Sequence, residues 1–387
     1  MDRPCKLHIA PTVIALGFVA FFSGFGQDII TPILPGFLIA LGASRATIGL
    51  MDGLLNGSTA LFRLVSGLLS DRTRKRKAFV FVGYVISSVA RPLLAVTGSV
   101  AVIGGLRTLD GVGKGMKDAP RDALIAASSN GRTGRAFGFS RLVDTAGSVF
   151  GPAVAALILF LLLPTLATYR FIFALAAIPG AIALAIIFFG VTEREPVTPK
   201  KMIRTRRPLP KIFWLFLAGS VIASLTRVND ALVLTRASSL GVPEVWIPIL
   251  FAGFTLLYAL CSYPIGVWSD KVGKLPMIVA GWFVLAGVEF WFSASHTILS
   301  ALPAFACYGL FYALTEGSGR AIIGDLVPDE SRGTAYALFY FTTGLALIAG
   351  GWGIGRVWDA WSPSASFAIA AGGSLVAALV ILLATRR

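Results

Sequence analysis

Runs of about twenty residues rich in Ala, Val, Ile, Leu, Phe and Gly recur twelve times along this chain, with short polar stretches between them. A helix crossing roughly 30 Å of hydrocarbon needs about 20 apolar residues, so each run can span a bilayer. The predicted spans lie near 12–38, 46–69, 78–98, 100–125, 137–163, 169–190, 212–236, 246–269, 276–295, 299–323, 334–358 and 364–385. Composition excludes a soluble globule. Apolar residues make up 56% of the 387 and charged residues only 14%, against roughly 25% charged in soluble chains. The fold class expected is an all-α membrane protein of twelve transmembrane helices.

The formal net charge of +15 would suggest nucleic acid if the domain were soluble, through phosphate neutralisation. Here the basic residues cluster between apolar runs, at Arg72 to Lys77, Arg132 to Arg135, Lys200 to Lys211 and Lys271 to Lys274. All four clusters fall on one side of a twelve-span ladder, the positive-inside pattern of cytoplasmic loops. Recognition of anionic lipid is a second use for such loops; nucleic acid is not an expected partner. The N-terminus begins like a signal peptide, but its apolar run is too long and enters Gln27-Asp28 without a cleavage site. A multi-pass protein of a bacterial cytoplasmic (inner) membrane is expected, with both termini in the cytoplasm. Cys5, Cys261 and Cys307 give no paired framework, and His8 and His296 give no metal cluster. No cofactor or metal is expected, and with no nucleotide-binding loop legible, the energy should come from an ion gradient.

The polar stretch Thr192 to Lys211, rich in Pro, Lys and Arg, divides the chain. The expected domains are an N-terminal six-helix bundle (1–191), a cytoplasmic linker (192–211) and a C-terminal six-helix bundle (212–387). The linker is a solvated loop or a site for a partner. A shift of 199 residues lays Leu41-Gly42 on Leu240-Gly241, Gly67 on Gly266, Ser70-Asp71 on Ser269-Asp270, Arg121 on Arg320 and Gly151 on Gly350. Two such halves imply pseudo-symmetric bundles about an axis along the membrane normal, a binding site between them and alternating access.

Several segments carry chemistry. The turn after the second span reads GLLSDRTRKRK (Gly67 to Lys77), and its mate reads GVWSDKVGK (Gly266 to Lys274). Both resemble the loop signature G-x-x-x-D-R-x-G-R-K of the major facilitator superfamily, with Arg74 where the first copy usually has Gly. Glycine lets helices approach, and an Asp at a helix end engages dipoles and Arg partners, so Gly67, Asp71, Arg72, Gly266 and Asp270 are gating candidates. In the fourth span Arg107, Asp110, Lys114, Lys117, Asp118 and Arg121 share one helical arc. A charge at mid-membrane costs at least ~2.5 kcal/mol, so this stripe faces a cavity or paired charges; its last three members are alternatively a wet cytoplasmic end. Arg107-x-x-Asp110-Gly111-x-Gly113 resembles the family's fourth-span R-x-x-Q-G-x-G pattern, which implies an Arg that assists proton coupling. Asp110 and Lys114 depart from it. Gly138, Gly147, Gly151 and Pro152 resemble the fifth-span pattern of proton-linked antiporters, and Ala155-Ala156 replace its final glycines.

Asp28, between Gly and Pro breaks of the first span, is either a proton carrier or a permanent ion-pair partner of Arg107. Asp52, Asn56, Thr59 and Arg63 share one face of the second span, as cavity lining or as a packing network; Arg91 of the third span has the same two readings. Arg227, Asn229 and Asp230 mark the seventh span, where Asn229-Asp230 echo Gln27-Asp28, and Glu289 and Glu316 add two intramembrane carboxylates. Trp282, Trp291, Phe311, Tyr312, Tyr336 and Tyr340 form a substrate wall, or else meet lipid and core. Among cavity candidates, Arg63, Arg91, Arg107, Lys114 and Arg227 outnumber Asp28, Asp52, Asp110 and Asp230 by one, which leans toward an anionic or zwitterionic substrate.

The resemblance covers essentially the whole chain and implies a major facilitator superfamily transporter with protons, lipid and a small molecule as partners, acting as a monomer. The expected activity is proton-driven antiport of a small organic solute, outward, with Asp28, Arg107 and Asp110 in proton coupling. The alternative is proton symport importing an anionic metabolite or a siderophore-like metal chelate. A membrane-embedded enzyme or sensor would need a metal cluster, a nucleophile with its base or a soluble domain, and none is legible.

Overall fold

A computed structural model describes residues 10–129, 133–193, 208–328 and 331–385, excepting the side chains of 133, 317, 318, 320, 321, 384 and 385. The basic residue Arg132, most of the 192–211 stretch and the Arg320 side chain lie outside the described residues.

Among the described residues, twelve helical rods cross the molecule. The first is α1 (Pro11–Asp28) and α2 (Leu34–Ala40), broken between them. Then come α3 (Arg45–Thr73), α4 (Arg76–Leu93), α5 (Val100–Ser128) and α6 (Thr133–Leu162). The sixth rod is α7 (Leu166–Leu175) with α8 (Ala177–Gly190). The seventh is α9 (Lys211–Thr226) and α10 (Asp230–Ser239), again broken. The remaining five are α11 (Ile247–Val272), α12 (Lys274–Ala294), α13 (Ile298–Leu326), α14 (Arg332–Ala360) and α15 (Pro363–Thr385). Among the described residues, nine of these rods are long and apolar enough to cross a membrane by length and composition. The first, second and fourth fall short, and they carry Gln27-Asp28, the Asp52 to Asp71 charges and the Arg107 to Arg121 stripe. Hydropathy fails where polar chemistry is concentrated.

The repeat is visible in the backbone. Gly42 and Gly241 both take positive φ, +80° and +87°, at the end of a broken rod. Ala43 N–H reaches Leu38 O at 2.9 Å and Val242 N–H reaches Ala237 O at 3.2 Å, the same glycine-closed helix end in each half. At the 199-residue offset Arg74 (φ +57°, ψ +14°) and Gly273 (φ +97°, ψ +154°) both take positive φ, but only Arg74 is in the left-handed helical region. Arg74 closes α3 in the left-handed region without glycine, at a cost of about 1–2 kcal/mol for an L-residue, whereas the second copy turns differently at Gly273.

An even number of rods puts the described ends of the chain and both ends of the linker on one face, called here the terminal face; the opposite one is the distal face. Apolar packing differs between the two. Toward the distal face one core joins both halves, uniting Ile29, Phe37, Ile48 and Met51 with Val228, Leu232, Phe251 and Trp358. Toward the terminal face each half keeps its own core, around Val13, Val80 and Leu124 in one and Phe213, Ile278 and Ile381 in the other.

Helices α3 and α14 make the distal seal at glycines. A Cβ added to Gly49 would lie 2.0 Å from Gly351 O, and one on Gly355 would lie 2.4 Å from Arg45 O. Asp359 of α14 accepts from the N–H groups of Arg45 (3.0 Å) and Ala46 (2.9 Å), capping α3 from the other half. Asn229 Nδ2 donates to Gly49 O at 2.8 Å across the same boundary. The bundles are thus locked at the distal face and parted toward the terminal face.

Candidate substrate-binding cavity

Between the parted ends lies a cavity of about 460 Å³, lined by α1, α3, α5 and α6 from one half and by α9, α10, α12, α13 and α14 from the other. The breaks in the first and seventh rods supply its centre. Asp28 ends α1, and Arg227 follows α9 at the position related by the 199-residue shift. Equivalent breaks in the two halves therefore present a carboxylate and a guanidinium to one space.

Much of the cavity charge is paired. Arg63 bonds Asp118, Arg121 lies 3.6 Å from Asp122, and Arg141 lies 3.3 Å from Glu316 and also bonds the Tyr258 hydroxyl. Arg141 thereby links α6 of one half to α11 and α13 of the other. Lys114, Lys117 and Arg227 have no carboxylate within 4.0 Å among the described residues, and Asp28, Asp144 and Asp230 have no cation within it. Lys117 donates to Ser23 Oγ at 2.5 Å and sits 4.0 Å from the Tyr84 ring centroid. Arg227 lies 5.8 Å from the Phe311 ring and 5.7 Å from the Tyr312 ring. Asp230 accepts from the hydroxyls of Tyr308 and Tyr312, both at 2.6 Å. Asp28 accepts from Gln27 Nε2 (3.3 Å) and Thr31 Oγ1 (3.4 Å).

The expected site residues divide into two sets. Asp28, Asn56, Thr59, Arg63, Lys114, Arg227 and Asp230 line the cavity, as do the aromatic candidates Trp282, Phe311, Tyr312 and Tyr340. Asp52, Arg91, Arg107, Asp110 and Asn229 stand outside its lining in this conformation. The expected Asp28–Arg107 ion pair is replaced by Arg107–Asp52, at 3.9 Å. The reason is depth. Asp52 and Arg107 each lie seven residues from the distal start of their helix, about 10 Å in at 1.5 Å per residue, whereas Asp28 lies deeper, below the break. Asp52 also accepts from Asn56 Nδ2 at 3.0 Å.

Arg91 and Asp110 form a buried clamp behind the cavity wall. Arg91 Nε donates to both Asp110 oxygens (3.1 and 3.2 Å), Nη1 to Ser23 O (3.0 Å) and Nη2 to Gln27 Oε1 (3.3 Å). One guanidinium thus ties α4 and α5 to the α1 turn that carries Asp28. Gly147 and Gly151 bring α6 onto the same stretch: Cβ atoms there would lie 2.1 Å from Phe21 O and 2.6 Å from Phe25 O. Gly138 faces open space, and Pro152 lies within a continuous α6. The loop signature at the terminal face makes no tight contact in this conformation. Asp71 is 70% exposed and meets Arg76 at 3.3 Å; Arg72 and Asp270 are exposed. A Cβ on Gly67 would make ordinary contact with Ala119 at 3.6 Å, and one on Gly266 would meet open space.

Sequence reasoning missed Arg141 and Asp144, and left Lys117 and Arg121 as either wall or wet end. All four line the cavity. The i, i+3, i+7 spacing of Arg141, Asp144 and Ser148 on one face of α6 was the available signal.

Comparison with known proteins fixes the family. The Major Facilitator Superfamily model matches residues 16–228 and 215–387. This chain belongs to the major facilitator superfamily. It is a multi-pass membrane transporter of small molecules and not an enzyme. An uncharacterized MFS-type transporter of Methanocaldococcus jannaschii is 32% identical over 384 residues, 97% of this chain and 95% of that protein. Among solved structures, a variant of the nucleoside transporter NupG superposes with a TM-score of 0.80 at 14% identity, covering 96% of this chain and 99% of that one. A D-xylose-proton symporter gives 0.73 at 16% identity, covering 96% of each. The fold is shared with both.

Proposed function

We propose that this superfamily member is a proton-coupled antiporter that exports a small zwitterionic organic solute by alternating access. The observation that carries the proposal is the pair of unneutralised groups at related breaks, Asp28 in one half and Arg227 in the other. A carboxylate and a guanidinium facing one cavity suit the two ends of a zwitterion. Lys114 supplies a second cation for the anionic end, and the Phe311–Tyr312 wall supplies an apolar surface for the body.

Coupling follows from competition. A substrate ammonium and a proton both neutralise Asp28, so they exclude one another, which is the requirement for antiport. Arg91 and Asp110 position the α1 turn that carries Asp28, while Arg107 with Asp52 belongs to the distal seal and forms again at each closure. In this proposal the units that rock are 1–191 and 212–387, joined by 192–211. The terminal face is cytoplasmic, in a bacterial inner membrane, and the protein acts as a monomer. Asp71 and Asp270 engage when the terminal face closes.

Import by proton symport is a second reading, favoured by the unpaired Lys114 and Lys117. A plain anion that neutralised Lys114, whose field reaches Asp28, would promote protonation there, so anion and proton would bind together. Net flux in proteoliposomes under pH gradients of either polarity separates the two. Asp28→Asn should abolish uphill pH-driven movement while exchange of substrate across the membrane persists. Uphill transport by Asp28→Asn on a proton gradient would place the proton site elsewhere.

A further inference from the structure

Glu289 of α12 plays no part in the cavity, yet among the described residues it is the carboxylate most completely removed from solvent, 1% exposed. Its Oε1 accepts from the Val228 backbone N–H at 3.0 Å, and its Oε2 accepts from Ser374 Oγ of α15 at 2.6 Å. Val228 is in the break between α9 and α10, one residue from Asn229. Asn229 caps α10 through Leu232 N–H (3.1 Å) and donates to Gly49 O in the distal seal (2.8 Å). A buried carboxylate thus holds the backbone segment that holds the gate. Arg236, two turns along α10, fastens the same helix to the end of α12 through the Phe292 (3.1 Å) and Ser295 (2.6 Å) carbonyls.

No cation lies within 4.0 Å of Glu289 among the described residues. Of the elements around it, α15 has no titratable side chain, and α9 and α12 add only Lys211 and Lys274 at their terminal-face ends. Helix α10 carries Asp230, bound by Tyr308 and Tyr312 of α13, and Arg236, spent on carbonyls. The other titratable groups of α13 are Cys307, near Tyr308, and Glu316, Arg320 and Asp325 toward the terminal face. Those of α11 are Tyr258, Cys261, Tyr263, Asp270 and Lys271. Arg227, beside the break, is the charged group whose field reaches Glu289.

We infer that Glu289 is a second proton-binding site, outside the cavity, whose occupancy is linked to closure of the distal face. The inference rests on alternating access. An isolated ion in an apolar interior is costly and takes a proton instead, and the two partners of Glu289 accommodate that proton. One O–H bond forms at Oε2 as the distal face closes, the proton being given up by hydronium in the water that leaves the break. Ser374 then turns its hydroxyl from donor to acceptor, and Oε1 keeps Val228 N–H as a neutral acceptor. When the distal seal parts and the break is wetted, the proton returns to water and Glu289 ionises. Acid therefore favours the distal-closed form and alkali the distal-open form.

The test uses the full chain in lipid. In an Asp28→Asn parent chain, so that the cavity carboxylate does not contribute, infrared difference spectra between acid and alkaline buffer should show a protonated-carboxyl C=O band that Glu289→Gln removes. Spin labels at Val96→Cys and Leu299→Cys, with the native cysteines replaced, should move apart toward alkaline pH in the same Asp28→Asn parent. In Glu289→Gln they should stay close throughout. A band that persists in Glu289→Gln, or distances that follow the parent, overturns the inference. If Glu289→Gln does not fold, Ser374→Ala should displace the midpoint of the pH response, and an unmoved midpoint overturns the inference equally. Distances that respond to substrate but never to pH defeat the Glu289 site and leave alternating access standing; distances that respond to nothing defeat both.

Discussion

At the scale of single residues, the structure separates charges that hold the helices from charges that face the substrate. Arg91 and Asp110 are 4% and 2% exposed and satisfy each other directly. Removing one partner of a buried pair strands the other, typically at about 3–5 kcal/mol, whereas replacing both with apolar residues is often neutral. Arg91→Leu or Asp110→Leu alone should lower the thermal unfolding midpoint strongly in detergent. The double variant should recover most of the loss; additive losses would show that the two side chains do not form a unit. Arg227→Ala should leave the unfolding midpoint nearly unchanged but remove stabilisation by added substrate, because the unpaired guanidinium faces open cavity. The sequence marked nearly all of these groups as intramembrane charges, from spacing along one helix. It did not show which neighbour each would meet, because partner choice depends on how deep each residue sits on a different helix. Arg107 consequently meets Asp52, and Asp28 meets Gln27 and Thr31.

At the scale of elements, glycine decides where helices touch. The seal between α3 and α14 puts backbone against backbone at Gly49, Gly351 and Gly355. A side chain at Gly351 cannot fit while the distal face is closed, since its Cβ would lie 2.3 Å from Gly49 O. Gly351→Val should therefore bias the molecule toward distal opening. The readout is labelling of Met51→Cys, a residue 4% exposed in the distal core, by a membrane-impermeant thiol reagent added from the distal side. Labelling about tenfold faster than in the Gly351 parent corresponds to ~1.4 kcal/mol of bias; equal protection would show that the seal tolerates the bulk. Gly147 and Gly151 act similarly between α6 and α1, so their spacing is accounted for by packing against the Asp28-bearing turn. The rods themselves were legible as apolar runs, and the broken first rod was marked by its Gly and Pro punctuation. The break in the seventh rod was not marked, since no Gly or Pro stands at Arg227 to Asn229. Asn229 makes that break by capping α10.

At the scale of the whole molecule, two related bundles share one apolar core at the distal face and keep separate cores at the terminal face. The 199-residue repeat was readable from matching turns and glycines, and it recurs in the paired helix ends closed at Gly42 and Gly241. Which face would be open was not readable, because both open forms are built from the same helices of the same sequence. The account requires the two faces to exchange roles around a cavity that holds Asp28 and Arg227. Distances measured between spin labels on both faces of one preparation test this most directly, with Arg74→Cys and Lys274→Cys at the terminal face and Val96→Cys and Leu299→Cys at the distal face. The account predicts that a change of pH or substrate that shortens the terminal distance lengthens the distal one. Two distances that change together, or a terminal distance that never changes, would contradict it.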